Sequence, residues 1–73
     1  MPLVQLTVRR GRTPEQLHTL IVRVTDVVEE SLGARRSAIR VVLTEVEPTH
    51  WANGGRTLAE LDVERAQEQT QEQ

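Results

Sequence analysis

Seventy-three residues hold at most one domain, and a domain this small buries only about 60% of the surface its unfolded chain exposes, so it is marginal alone. The absence of Cys excludes disulfides and thiolate metal sites, and His18 and His50 fall on different predicted elements without metal-ligand spacing, which leaves self-association as the stabilising route. A net charge of −2 is too small to imply a polyanionic partner.

Leu3 to Val8 alternates, with Val4, Leu6 and Val8 facing one way and Gln5 and Thr7 the other, the pattern of a half-buried strand. The strand starts directly after Pro2, so the amino terminus is tied to a sheet. Thr13-Pro14-Glu15-Gln16 then opens a helix: Thr13 fits the N-cap, Pro14 the first helical position, and Gln16 completes a capping box. Leu17, Leu20, Ile21, Val24, Val27, Val28 and Leu32 form one apolar stripe, and Gly33 is placed as the C-cap.

Ile39 to Val46 reads as a second strand with apolar residues on both faces, so both sides are expected to be covered. Strand, helix and strand make a βαβ unit, parallel and with a right-handed crossover. Asn53-Gly54-Gly55 signals a tight turn, and with Trp51 and Leu58 nearby residues 49–58 suggest a short hairpin or arm. From Ala66 onward no further apolar residue occurs, and residues 62–73 carry a net charge of −3, so this segment is expected to be a disordered acidic tail beyond a domain spanning residues 1–61. No stretch approaches the length of about 18 apolar residues needed for a membrane span, and no signal-peptide core follows the amino terminus. A soluble cytoplasmic protein is expected. One helix on two strands leaves a sheet face bare, so two or more copies are expected to complete the core.

The candidate chemistry begins at Pro2. Removal of Met1 would free a secondary amine on a rigid ring, and burial or neighbouring arginines lower the pKa of such an amine from the ordinary α-amine value of about 7.7–8.0. An amine tuned towards neutrality can take a proton and return it. All nine basic residues are arginines, and Arg9, Arg10 and Arg12 cluster after the first strand around Gly11. An arginine fork suits carboxylates, although alone such a cluster is more often a solvated surface or a weak phosphate contact than a site. Arg40 lies between apolar residues near the start of the second strand, where either a substrate role or an ion pair to a residue such as Glu45 would satisfy it. Trp51, the sole aromatic residue, suits packing and a pocket wall alike.

As an ordered set these residues resemble the 4-oxalocrotonate tautomerase family. The set comprises Pro2 before the first strand, Gly11-Arg12-Thr13 ahead of the helix, and Gln16, Leu20-Ile21, Thr25 and Ser31-Leu32-Gly33 along it. Ile39-Arg40-Val41-Val42, Glu45, His50-Trp51 and Gly54-Gly55 complete it, from residue 2 to about residue 60. The resemblance implies an α/β fold. Its βαβ protomer carries a short C-terminal hairpin, dimerises into a four-stranded sheet and assembles as a homohexamer, a trimer of dimers. It implies an isomerase without cofactor or metal, with Pro2 as base and acid, Arg12 on a substrate carboxylate, and Arg40, from a neighbouring subunit, on the other carboxylate and the carbonyl oxygen. Trp51 takes the place of a Phe wall. The implied reaction moves a proton between the enol or dienol and keto forms of a small unsaturated 2-oxo acid, such as 2-hydroxymuconate in the catabolism of aromatic compounds.

Arg9 departs from the tautomerase pattern, where an apolar residue is usual. Paired with Arg12 it looks more like the haloacrylate dehalogenase and hydratase branch, in which two arginines bind the carboxylate. That branch also uses an acid after the aromatic position, where this chain has Asn53. A third reading is a non-enzymatic module whose Arg9, Arg10, Arg12, Arg35, Arg36 and Arg40 bind nucleic acid, but the net charge is negative and only Trp51 could stack on a base. The expectation is therefore a small carboxylate substrate and self-association, with neither nucleic acid nor membrane as partner.

Overall fold

Two parallel strands, β1 (Leu3–Arg9) and β2 (Arg40–Val46), are joined by α1 (Pro14–Leu32) and a 3₁₀ turn at Arg36–Ala38. This computed structural model describes the backbone of residues 1–71 and the side chains of residues 1–68. The arrangement is the βαβ unit expected from the sequence. Its register sets Leu3 against Arg40, Val4 against Val41, Leu6 against Leu43 and Arg9 against Val46. Successive side chains of a strand alternate between faces, so Val4, Leu6 and Val8 share one face with Val41, Leu43 and Glu45. That face carries the less exposed positions and is the one α1 covers. Leu3, Gln5, Thr7 and Arg9 lie on the opposite face beside Arg40, Val42, Thr44 and Val46.

α1 begins and ends where its local chemistry dictates. The Thr13 hydroxyl accepts the Gln16 N–H at 3.1 Å, and the Gln16 side chain accepts the Thr13 N–H at 2.9 Å, so two otherwise orphaned donors are satisfied reciprocally. Gly33 ends the helix with φ at 64°, a left-handed conformation that favours glycine, and its N–H donates to the Glu29 carbonyl. Arg36 bridges Asp26 and Glu29, tying the 3₁₀ turn back to the helix.

The two-stranded sheet is narrower than the apolar stripe that rests on it. Val27 stays 59% exposed and Leu32 68%. A groove of about 260 Å³ lies along the overhang, lined by Val4, Arg23, Val24, Val27 and Val28. On the opposite face Leu3 is 56% and Val42 49% exposed, and no described residue is fully buried. The expected covering of β2 on both sides is thus absent within one chain.

The expected hairpin forms from β3 (Ala52–Asn53) and β4 (Arg56–Thr57), an antiparallel pair. Gly54 and Gly55 make its turn with φ of 59° and 83°, the two positive values that a type I′ turn demands. The expectation of disorder from residue 62 onward is corrected for residues 62–71 by α2 (Leu58–Gln71), a helix that crosses the anticipated boundary at residue 61. Residues 72 and 73 lie outside the described residues. The reason is a second capping box. Thr57 Oγ1 accepts the Glu60 N–H at 3.1 Å while Glu60 accepts the Thr57 N–H at 3.2 Å. Arg56 then pairs with Glu60 at 3.4 Å and also with Glu64, staking the first two turns.

Candidate active site

Pro2 heads β1, and its carbonyl accepts the Arg40 N–H at 3.0 Å, which pins the start of β1 to the start of β2. Met1 projects beyond it, 83% exposed, with its Sδ 2.9 Å from Arg40 Nε. The guanidinium of Arg40 therefore sits at the Pro2 end of its own chain. It lies on the face opposite Glu45, five positions along, so the ion pair to Glu45 considered from the sequence does not form. Arg40 is exposed rather than enclosed by its apolar neighbours.

Arg9 and Arg12 occupy the other end of the sheet. The seven residues of β1, at about 3.3 Å each, set Pro2 about 23 Å from Arg9, and Arg12 follows three residues beyond. Within one chain Arg40 lies at the Pro2 end of the sheet and Arg12 beyond the other end, whereas the resemblance implied an Arg40 supplied by a neighbouring subunit.

The arginines also differ in what already neutralises them. Arg9 donates to Asp62 of α2, a contact that holds the Asp62 carboxyl below the usual carboxylate range and raises Arg9 further above its ordinary value. Arg10 pairs with Glu47 at 2.6 Å. Arg12 and Arg40 meet no carboxylate among the described residues. A pair of uncompensated guanidinium groups is what an incoming anion would need.

Trp51 precedes β3 and is half-buried, and its carbonyl accepts the Leu58 N–H at 2.8 Å. The Ala59 N–H reaches the Pro48 carbonyl at 3.1 Å, so the loop bearing His50 and Trp51 is closed against the start of α2. No group of three or more His, Cys, Asp or Glu among the described residues is placed to hold a metal ion. No helix among the described residues is long and apolar enough to cross a membrane.

The sequence reading missed Asp62 as the partner of Arg9. The Thr57-Leu58-Ala59-Glu60 capping signature was the available sign that a helix, and with it a positioned carboxylate, follows the hairpin.

Against known proteins, the model of the tautomerase-enzyme family matches residues 2–60. The chain belongs to the tautomerase family. A probable tautomerase of Staphylococcus aureus strain Mu50 is 46% identical over 55 residues, which cover 75% of this chain and 90% of that protein. Among solved structures, TomN, a 4-oxalocrotonate tautomerase homologue of the tomaymycin biosynthetic pathway, superposes with a TM-score of 0.83. It is 35% identical, over 85% of this chain and 95% of its own. A heterohexameric 4-oxalocrotonate tautomerase from Chloroflexus aurantiacus J-10-fl is similar at a TM-score of 0.79 and 33% identity, covering 84% and 98% of the two chains. The family stretch stops at residue 60, so most of α2, through Gln71, extends this tautomerase-family chain beyond it.

Proposed function

We propose that the protein is a cofactor-independent tautomerase that moves a proton between the enol and keto forms of a small unsaturated 2-oxo acid, with the Pro2 amine as base and then acid. The observation that carries the reading is the placement of Pro2. Hydrogen-bonded through its carbonyl to the head of β2, it stands beside Arg40, a guanidinium with no carboxylate partner among the described residues. Membership of the family supports it.

In the full chain the Pro2 nitrogen is an amide and carries no basicity. Removal of Met1 converts it to an amine and lifts the Met1 thioether from Arg40 Nε in the same step. The neutral amine takes the proton of the substrate enol hydroxyl, the carbon–oxygen double bond forms, and the proton returns to a carbon of the same skeleton. Nothing is gained or lost overall. Arg40 stabilises the dienolate oxygen as charge develops there, and Arg12 of a second copy holds the distant carboxylate. Trp51 narrows the approach of water. Two copies pairing into a four-stranded sheet, and three such pairs packing their open faces as a homohexamer, would supply this geometry. The exposed Leu3 and Val42 support association of copies, and the heterohexameric state of the similar Chloroflexus protein supports an assembly of six chains. A cytoplasmic setting and a place in the breakdown of aromatic compounds belong to the same proposal.

The test is ketonisation of 2-hydroxymuconate, followed by ultraviolet absorbance on protein shown by intact mass to lack Met1, beside Pro2→Ala. Turnover that collapses in the variant is the expected result. No turnover with a free Pro2 would overturn the assignment. The dehalogenase-like alternative needs Arg9 and Arg12 together on one carboxylate, and the engagement of Arg9 by Asp62 weighs against it.

A further inference from the structure

Arg9 is the residue at which this chain departs from the tautomerase pattern, and its guanidinium is engaged. It projects from the last position of β1 on the face that α1 leaves open, three residues before Arg12. The carboxylate it meets comes from α2, from a turn that the family stretch ending at residue 60 does not include. That carboxylate is delivered by a built element. The Thr57–Glu60 capping box sets the helix start, and Arg56 braces Glu60 and Glu64 on either side of Asp62. Arg65 adds a further positive charge near Asp62.

We propose that Asp62, carried on the α2 extension, occupies Arg9 and withdraws it from substrate binding, making Asp62 a specificity-determining residue that leaves Arg12 and Arg40 as the carboxylate-binding arginines. The proposal rests on the tautomerase reading for the location of the site. An anion approaching the Arg9–Arg12 end meets one available guanidinium instead of two. The Arg9–Asp62 pair itself presents little net charge there, so a ligand bearing a second anionic group at that end finds no second cation. The extension thus restores, by intramolecular neutralisation, the single-arginine end that an apolar residue at position 9 would give.

The test separates affinity from turnover by using cis,cis-muconate, a dicarboxylate without the reacting hydroxyl, titrated calorimetrically into Met1-processed protein. Asp62→Asn is expected to tighten binding about five-fold, the scale of one exposed ion pair. Asp62→Glu, which keeps a carboxylate on the same turn, is expected to leave affinity near that of the parent chain. Arg9→Gln alone leaves the Asp62 carboxylate uncompensated and is expected not to tighten binding, and combined with Asp62→Asn to cancel the gain. In turnover, Asp62→Asn should lower KM for 2-hydroxymuconate and leave kcat nearly unchanged.

Unchanged muconate affinity in Asp62→Asn overturns the proposal, as does a gain that persists in the Arg9→Gln/Asp62→Asn double variant. If α2 unwinds in Asp62→Asn, by loss of circular dichroism at 222 nm, the double variant decides: a gain that survives loss of Arg9 is not due to its release. Failure of turnover with a free Pro2 would sink the tautomerase reading and leave the affinity comparison of Arg9 and Asp62 intact.

Discussion

Charge compensation separates the arginines that a linear sequence leaves equivalent. Arg9, Arg10, Arg12 and Arg40 all neighbour strand ends, and nothing in residue type or spacing says which are free. The ion pairs to Asp62 and Glu47 neutralise the first two. Arg12→Gln and Arg40→Gln are each expected to lower kcat/KM about 100-fold, the usual scale for removing one donor aimed at developing charge. Steady-state kinetics on 2-hydroxymuconate checks this, and a loss below three-fold at either position would remove that residue from the site. Pro2, Arg12, Arg40 and Trp51 were legible as candidates because their order along the chain is itself informative. The partner of Arg9 was not, since an ion pair between residues 53 positions apart depends on where an unrecognised helix points.

At the scale of elements, legibility followed how strongly each segment repeats its own signal. α1 was readable because the apolar stripe, the capping box and Gly33 agree on one helix. α2 was not, because Leu58, Leu61 and Val63 do not build a single stripe and the later residues are polar. Its stability comes instead from local hydrogen bonds and charge pairs. Backbone and side-chain hydrogen bonds from Thr57 hold the Glu60 carboxyl below its ordinary range, and Arg9 does the same for Asp62. A carboxyl whose folded pKa is lowered stabilises the fold above its unfolded pKa and ceases to do so as pH falls through the lower folded value. The helicity of α2 is therefore expected to hold at neutral pH, start falling below about pH 4 and keep falling under it. Amide chemical shifts of residues 58–68 across an acid titration would show this, with α1 changing less. Thr57→Ala should destabilise α2 by about 1 kcal/mol through loss of its cap.

The whole molecule lacks an interior. No described residue is fully buried and apolar side chains stay exposed on both layers, which is the basis for proposing that further copies complete the core. The sequence foretold this from size and the absence of Cys, but could not show which faces stay open. Those faces emerge from the register that sets Leu3 beside Arg40 and from the overhang of α1. Val42→Glu places a charge on the open sheet face and is expected to yield smaller, less stable particles by analytical ultracentrifugation, whereas the parent chain should unfold at a temperature that rises with protein concentration. An unchanged sedimentation coefficient would exclude that face from the assembly.

The distance along β1 between Pro2 and Arg12 has a genetic consequence. In the proposed assembly each reaction centre draws its base from one polypeptide and its distant arginine from another, so two inactive alleles should complement. Pro2→Ala and Arg12→Gln chains, each silent alone, should regain activity when unfolded together and reassembled. Random mixing in equal amounts restores both residues at about one centre in four. If each chain carried a whole centre of its own, the mixture would stay as silent as its parents.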